Sequence, residues 1–260
     1  MSTPAAVRVW GSSFALYKRI WRSNLLGSFV QPLLYLLGMG IGVGTLVDRG
    51  TGSSEVLDGA SYLAFLAPAL IATSVMLVVA QEAMWPVIDG FVWGNQFRAM
   101  SATPLAPADI ANGVALWHAT RGAITAAGVA CVLVLFDDTR SFGLIAAVPF
   151  AVLCGLAFAL PIAAWSSTRA EEQSFPAIMR FGIIPMFLFA GAFYPTDELP
   201  GWLQPVAQVT PLWHGVELCR GAVLGTLGAV DALIHVVVLL GFAGAGLLIC
   251  WRTFARRLAL

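Results

Sequence analysis

"YLAFLAPALIATSVMLVVAQEAMWPVI" occupies residues 62–88 and carries one charged side chain, Glu82. A helix needs about 20 apolar residues to cross the ~30 Å of bilayer hydrocarbon. This stretch is long enough, and it is apolar all round rather than in alternation. A barrel strand would alternate over ~10 residues, so the stretch is read as a transmembrane helix. Five further blocks have the same character: residues 25–47, 109–136, 143–165, 175–194 and 229–251. The expected fold is an all-α integral membrane protein with six transmembrane helices.

Composition agrees with that reading. Hydrophobic residues make up 59% of the chain and charged residues 11%, with a mean hydropathy of +0.84. Soluble domains average roughly 25% charged residues, so this chain lacks the charge to coat a globule. The formal net charge is zero, which gives no support to nucleic-acid binding. Cys131, Cys154, Cys219 and Cys250 are scattered without metal-ligand spacing, so no metal site is expected. The first apolar block follows a long polar segment and has no small-residue cleavage site before its flanking charges, so a removable signal peptide is not expected.

The basic residues are asymmetric. One set of flanks holds Arg8, Lys18, Arg19, Arg22, Arg98, Arg169, Arg252, Arg256 and Arg257. The other holds Arg49, Arg140 and Arg220, against Asp48, Glu55, Asp58, Asp137, Asp138, Asp197 and Glu198. By the positive-inside rule both termini are expected in the cytoplasm.

Residues 1–24 are read as a separate amphipathic element ahead of a 25–260 transmembrane domain. Val7, Trp10, Phe14, Tyr17 and Trp21 recur at steps of three and four and share one helical face, with Arg8, Ser12, Arg19 and Arg22 opposite. Such a helix suits the membrane interface, either as a plain anchor among lipids or in contact with another subunit. The first cytoplasmic loop, 89–108, reads as a short helix from Phe91 to Met100, then a break at Pro104 and Pro107. Phe91, Trp93, Phe97, Arg98 and Met100 form its candidate contact surface. Pro107 and Asp109 suit the start of the next helix.

The extracytoplasmic segment 195–228 is cut by Pro195, Pro200, Pro205 and Pro211 into pieces too short to span, yet Leu199, Trp202, Leu203, Leu212 and Trp213 are too apolar for a free loop. Two short helices dipping into the outer leaflet, a re-entrant hairpin, fit both facts. A surface loop with Trp202 and Trp213 as an aromatic belt is the other reading. Leu199, Trp202, Trp213 and Glu217 mark this segment. The two halves of the chain share no glycine or proline pattern, which counts against an inverted repeat.

Charges inside spans are costly and are the first functional candidates. Arg180 is near enough to its helix end to snorkel. Arg121 lies ~18 Å up its helix, too deep for that, and Glu82 on the preceding span is its expected partner. A substrate or gate contact is the other role open to Arg121. No cofactor site is evident. Lys18 is the only lysine, and it follows Tyr17, so the Gly-Lys-Ser/Thr of a phosphate-binding loop cannot be made. There is no Gly-x-Ser-x-Gly elbow. If ATP drives this protein, another subunit must bind it.

The pattern "QPLLYLLGMGIGVG", "YLAFLAPALIATSVM", "EAMW", "ATPLAPADIANGVALWHATRG" and "LPGWLQPVAQVTPLWHGVELCRG", in that order, resembles the permease subunits of ABC-2 type exporters. It is most similar to the branch with nodulation-factor (lipo-oligosaccharide) and daunorubicin-resistance permeases, over nearly the whole chain. The resemblance implies an N-terminal connecting helix, a coupling helix in the first cytoplasmic loop and a re-entrant pair before the last span. It also implies two permease copies, a separate ATP-binding subunit that holds ATP and Mg, and export of a drug or antibiotic, lipid, glycolipid or saccharide. The alternative is a membrane-embedded enzyme or assembly factor without an ATPase partner. That would require polar residues clustered at one depth, and the sequence offers only Glu82 and Arg121.

Overall fold

The computed structural model describes residues 4–47 and 60–259, without the side chains of residues 23–29, 31 and 41. The expected loop charges Asp48, Arg49, Glu55 and Asp58 lie outside the described residues. No described residue is in a strand.

Helix α1 runs from Ala5 to Tyr35 and continues through a π-wound stretch, Leu36–Val43, into one more turn, Gly44–Val47. The expected boundary near residue 24 is therefore not a break in the backbone: the amphipathic segment and the first apolar block form one helical path. Pro32 lies inside it. Its missing N–H removes a hydrogen bond from the helix interior, and the glycine-rich "LLGMGIGV" that follows winds more loosely.

Helix α2 (Tyr62–Phe91) is capped by Ser61, whose hydroxyl accepts from the Ala64 N–H. Helix α3 (Gln96–Ser101) follows a tight turn in which Asn95 adopts φ 49°. Helix α4 (Pro107–Leu133) starts with proline in its first turn, and Asp109 Oδ2 accepts from the Ala106 N–H at 3.0 Å. Helix α5 spans Gly143–Ser166. The helical stretch α6 (Phe175–Phe189) has a π-wound centre at Met179–Ile183. It ends five residues short of the expected Tyr194, where Gly191 turns the chain at φ 76°. Helices α7 (Gln204–Val209) and α8 (Pro211–Leu224) are separated at Thr210, whose hydroxyl caps α8. Helix α9 (Ala229–Leu258) runs beyond the expected Trp251 and carries Arg252, Arg256 and Arg257 on its last two turns.

Three helices, α2, α5 and α9, are long and apolar enough to cross a membrane, and residues Pro32–Val47 and Phe175–Phe189 form shorter apolar helices. Helix α4 is also long enough, but His118 and Arg121 lower its hydropathy. Within the most apolar windows of α2, α5 and α9, 78%, 50% and 28% of residues are buried, so α2 is the centre and α9 the rim. Around α2 pack α4, α5 and α8, and α9 closes against α5.

Helix α1 packs along α4. A Cβ on Gly113 would lie 2.4 Å from Val9 Cβ, so only glycine admits α1 so close. This approach shifts the inward stripe of α1 from the expected one. Val9 and Tyr17 are buried, whereas Val7 and Trp21, expected on the same face, are exposed.

Candidate functional site

One polar interior region lies where α1, α2 and α4 meet. Arg121 Nε donates to Glu82 Oε1 at 2.9 Å, and Trp117 Nε1 donates to Glu82 Oε2 at 3.1 Å. Trp117 and Arg121 are four residues apart and share a face of α4, so one carboxylate receives two donors from adjacent turns. Tyr17 of α1 sits under the guanidinium, 4.9 Å from ring centroid to Cζ, and edge-on to Trp117 at 5.6 Å. Arg121 is 4% exposed. A buried charge needs such a partner, because desolvation costs several kcal/mol. The set is not saturated: Arg121 Nη1, the Tyr17 hydroxyl and both ring nitrogens of buried His118 have no hydrogen-bond partner.

The loop after α2 departs from its expected form. Phe91 is the last residue of α2, and the short helix starts only at Gln96. Phe91 and Phe97 are buried and meet Phe254 of α9 at centroid distances of 4.8 and 5.6 Å. They form a hydrophobic joint rather than a contact surface. Trp93 and Arg98 are exposed and Met100 is half-buried. Gln96 Nε2 donates to Ser12 Oγ at 3.2 Å, so α3 touches α1 as well as α9.

Among the residues singled out on α1, Trp10 donates to Thr120 Oγ1 at 2.9 Å and stacks on Phe14 at 5.1 Å. Lys18 lies over Phe14, and exposed Trp21 is covered by Arg22. Arg19 is exposed, as is Arg180.

In the other half of the bundle, Leu199 is buried, Trp202 is exposed, and Trp213 packs edge-on against His214 and His235. Glu217 takes a hydrogen bond from Arg220 Nη1 at 2.9 Å. Arg220, expected as a flanking charge, is buried. Its Nε donates to Phe65 O, its Nη2 donates to Gly191 O, and its guanidinium lies 3.7 Å over the Phe65 ring. One side chain therefore ties α8 to α2 and to the turn after α6. The i,i+3 spacing of Glu217 and Arg220 is visible in sequence, but the two carbonyl acceptors are not. The Nδ1 atoms of His214 and His235 approach to 2.7 Å, a pairing across 21 positions with no sequence signal.

The described residues contain no cluster of three or more His, Cys, Asp or Glu side chains fit to hold a metal.

Residues 6–224 match the family model for the ABC-2 type transporter. This chain belongs to the ABC-2 type transporter family. Among its relatives are Nodulation protein J of Rhizobium leguminosarum bv. viciae, 30% identical over 96% of this chain and 93% of that protein. Nodulation protein J of R. leguminosarum bv. trifolii is 32% identical over 88% and 85% of the two chains, and that of R. meliloti is 29% identical over 90% and 85%. The ABC-2 permease is accordingly a multi-pass transmembrane subunit of an ABC exporter. Family membership implies an ATP-binding partner and a dimeric arrangement.

Proposed function

We propose that the permease crosses the membrane six times, with both termini, α3 and the loop around Arg169 in the cytoplasm. The supporting observation is the gathering of these parts at one end of the bundle. Gln96 of α3 meets Ser12 of α1, Phe97 meets Phe254 near the end of α9, and Arg257 Nη2 donates to Arg169 O at 3.1 Å. The segments expected outside meet elsewhere, where Ser61 Oγ donates to Asp138 Oδ2 at 2.9 Å. An even number of crossings returns the chain to its starting side, and the basic end is then the cytoplasmic one. In this reading α7 and α8 dip into the membrane from outside as the re-entrant pair, and the Arg220 ties hold them there.

ATP and Mg are bound by a separate ATP-binding subunit, which docks on α3 and its turn through exposed Trp93 and Arg98 and half-buried Met100. Phe91 and Phe97 carry the push inward to α9. Two permease copies enclose the substrate route. Support comes from a cavity of about 560 Å³ beside the second half of α1 and α6, walled by Tyr35, Met39, Tyr62, Phe187 and Phe193. Aromatic, mostly apolar walls suit an amphiphile with a ring-bearing or glycosylated portion. A lipid-linked saccharide, which the relatives' role in nodulation makes the leading candidate, and a hydrophobic drug both meet that description.

Two measurements test this. The tagged permease should co-purify with an ATP-binding subunit at equal stoichiometry. Absence of such a subunit would return the chain to the membrane-embedded enzyme or assembly-factor reading. In a Cys131→Ser background, Thr168→Cys should be shielded from an impermeant thiol reagent in intact cells while Gly201→Cys is labelled. Equal labelling would overturn the topology.

A further inference from the structure

His214, in the first turn of α8, and His235, in the second turn of α9, place their Nδ1 atoms 2.7 Å apart. The ring centroids are 5.0 Å apart, Trp213 packs edge-on against both rings, and both side chains are buried. Of residues 229–235, His235 alone is buried and Ala232 is half-buried; the others are exposed. Helix α8, by contrast, is fixed to α2 and to the turn after α6 by Arg220. The link between the two helices is pinned where the Thr226 and Leu227 N–H groups donate to Gly221 O. The histidine contact therefore joins a fixed helix to the thinly packed start of a peripheral one.

Two Nδ1 atoms at this distance need one hydrogen between them, donated by one ring and accepted by the other. A neutral pair supplies it, with one ring carrying hydrogen at Nδ1 and the other at Nε2. A singly charged pair does so as well: the imidazolium donates, and its neighbour keeps its hydrogen at Nε2. A doubly charged pair cannot. Each ring then carries hydrogen at Nδ1, so two donors and two positive charges oppose each other at 2.7 Å.

The surroundings decide where that charge goes. Glu217 of α8 and Asp231 of α9 are the carboxylates that act on His235, and α7 presents the Gln208 backbone to His214. Glu217 is already bonded to Arg220. Asp231 is exposed and stands four residues before His235, on the same face of α9. Helix α5 has no charged residue, and its Cys154 thiol is turned to the Pro211 carbonyl. Glu82 and Asp89 of α2 and His118 and Arg121 of α4 belong to the half of the bundle around the Arg121–Glu82 pair, while Asp109 caps the start of α4. Helix α3 meets α9 at Phe254, about five turns from His235.

We propose that the His214–His235 contact is a proton-operated latch between α8 and α9. It stays closed with no added proton or with one. The second proton opens it: His235 turns to Asp231, and the start of α9 leans away from α8 about residues 226–228. The Arg220 tie is untouched by this motion, so α9 moves and α8 stays. In the six-crossing reading this end of the bundle faces outward, and the protons come from the outer medium. Only that sidedness rests on the proposed topology; the latch itself rests on the ring contact.

Hydrogen–deuterium exchange of the full-length permease in a nonionic detergent reads the latch in residues 229–237, with α2 as the internal standard. Corrected for the intrinsic pH dependence of exchange, protection of 229–237 should fall about tenfold between about pH 8 and about pH 5, the range in which histidine charges, while α2 is unchanged. His214→Asn and His235→Asn each keep an amide near the Nδ1 position and leave one titratable ring, so both should stay protected at the acid end. Asp231→Asn removes the receiving carboxylate and should move the opening about half a pH unit lower. Nitrogen NMR of ring-labelled histidine gives a reading that needs no variant: the second ring of the pair should charge in the same pH interval in which protection is lost. Wild-type protection that does not change, a second ring that charges without loss of protection, equal loss in α2, or a full response in both Asn variants would each overturn the latch. Detergent has no sides. A response here combined with equal thiol labelling of Thr168→Cys and Gly201→Cys would overturn the outer origin of the proton and leave the latch in place.

Discussion

Two buried arginines, Arg121 of α4 and Arg220 of α8, pack against opposite halves of α2 and are held in opposite ways. Arg220 is fully engaged: a carboxylate, two backbone carbonyls and an aromatic face take its donors and its charge. Arg121 has one carboxylate and one ring, leaves Nη1 without a partner, and stands beside unsatisfied Tyr17 and His118. Their anchor points on α2, Phe65 and Glu82, are ~26 Å apart at 1.5 Å per residue. A saturated network holds one geometry, because every displacement costs a buried hydrogen bond. An unsaturated one has room to adopt another. The Arg220 end is a fixed tie, and the Arg121 end is a joint.

The largest effect that would separate the two is on stability. Arg220→Met removes the partner of Glu217 and the donors to the Phe65 and Gly191 carbonyls, so we expect a loss of about 3–5 kcal/mol in unfolding of the detergent-solubilised protein. A loss below ~1 kcal/mol would show that this end is not a tie.

For the joint, Glu82→Gln and Arg121→Gln should be coupled in a double-mutant cycle by about 1–3 kcal/mol. Additive effects would mean that the 2.9 Å contact contributes nothing, and the contrast between the two ends would need another basis.

Seating of α1 should come next. Gly113→Leu places a side chain where Val9 sits, with an expected cost of about 1–3 kcal/mol. Lifting α1 should also speed tryptic cleavage at Arg8, Lys18 and Arg19. If cleavage is unchanged, α1 is not held by this contact.

The smallest stability effect belongs to the exposed surface of the joint. Arg98→Glu and Trp93→Ala should change unfolding by no more than about 0.5 kcal/mol while weakening ATPase association or uncoupling hydrolysis from transport. Full transport in both variants would remove the docking role. Phe97→Ala, by contrast, is expected to destabilise the protein, since Phe97 is packed between Phe91 and Phe254.

The difference between Phe97 and Arg98 shows where sequence reading stops. Both sit in one short polar-flanked loop, and composition alone assigned both to a partner surface. Which of two adjacent residues turns inward depends on where the helix starts. That start is set by the left-handed turn at Asn95 and by the presence of Phe254 on a helix more than 150 positions away. The stripe on α1 moved for the same reason: Val9, not Val7, faces the gap that Gly113 leaves.

Sequence by itself determined the helical, membrane-embedded class, the basic asymmetry, the broken loop after α2, the proline-cut segment before α9 and the Glu82–Arg121 candidates. These follow from hydrocarbon thickness, backbone hydrogen bonding and the cost of buried charge, which act on residues near one another in the chain. Tertiary structure alone decided that α1 is one continuous helix lying on α4, that Trp117 and Tyr17 complete the Glu82–Arg121 site, that Arg220 is a three-way tie, and that His214 meets His235. Each of those rests on packing between distant helices, where a single glycine or a helix offset of one turn selects which side chains meet.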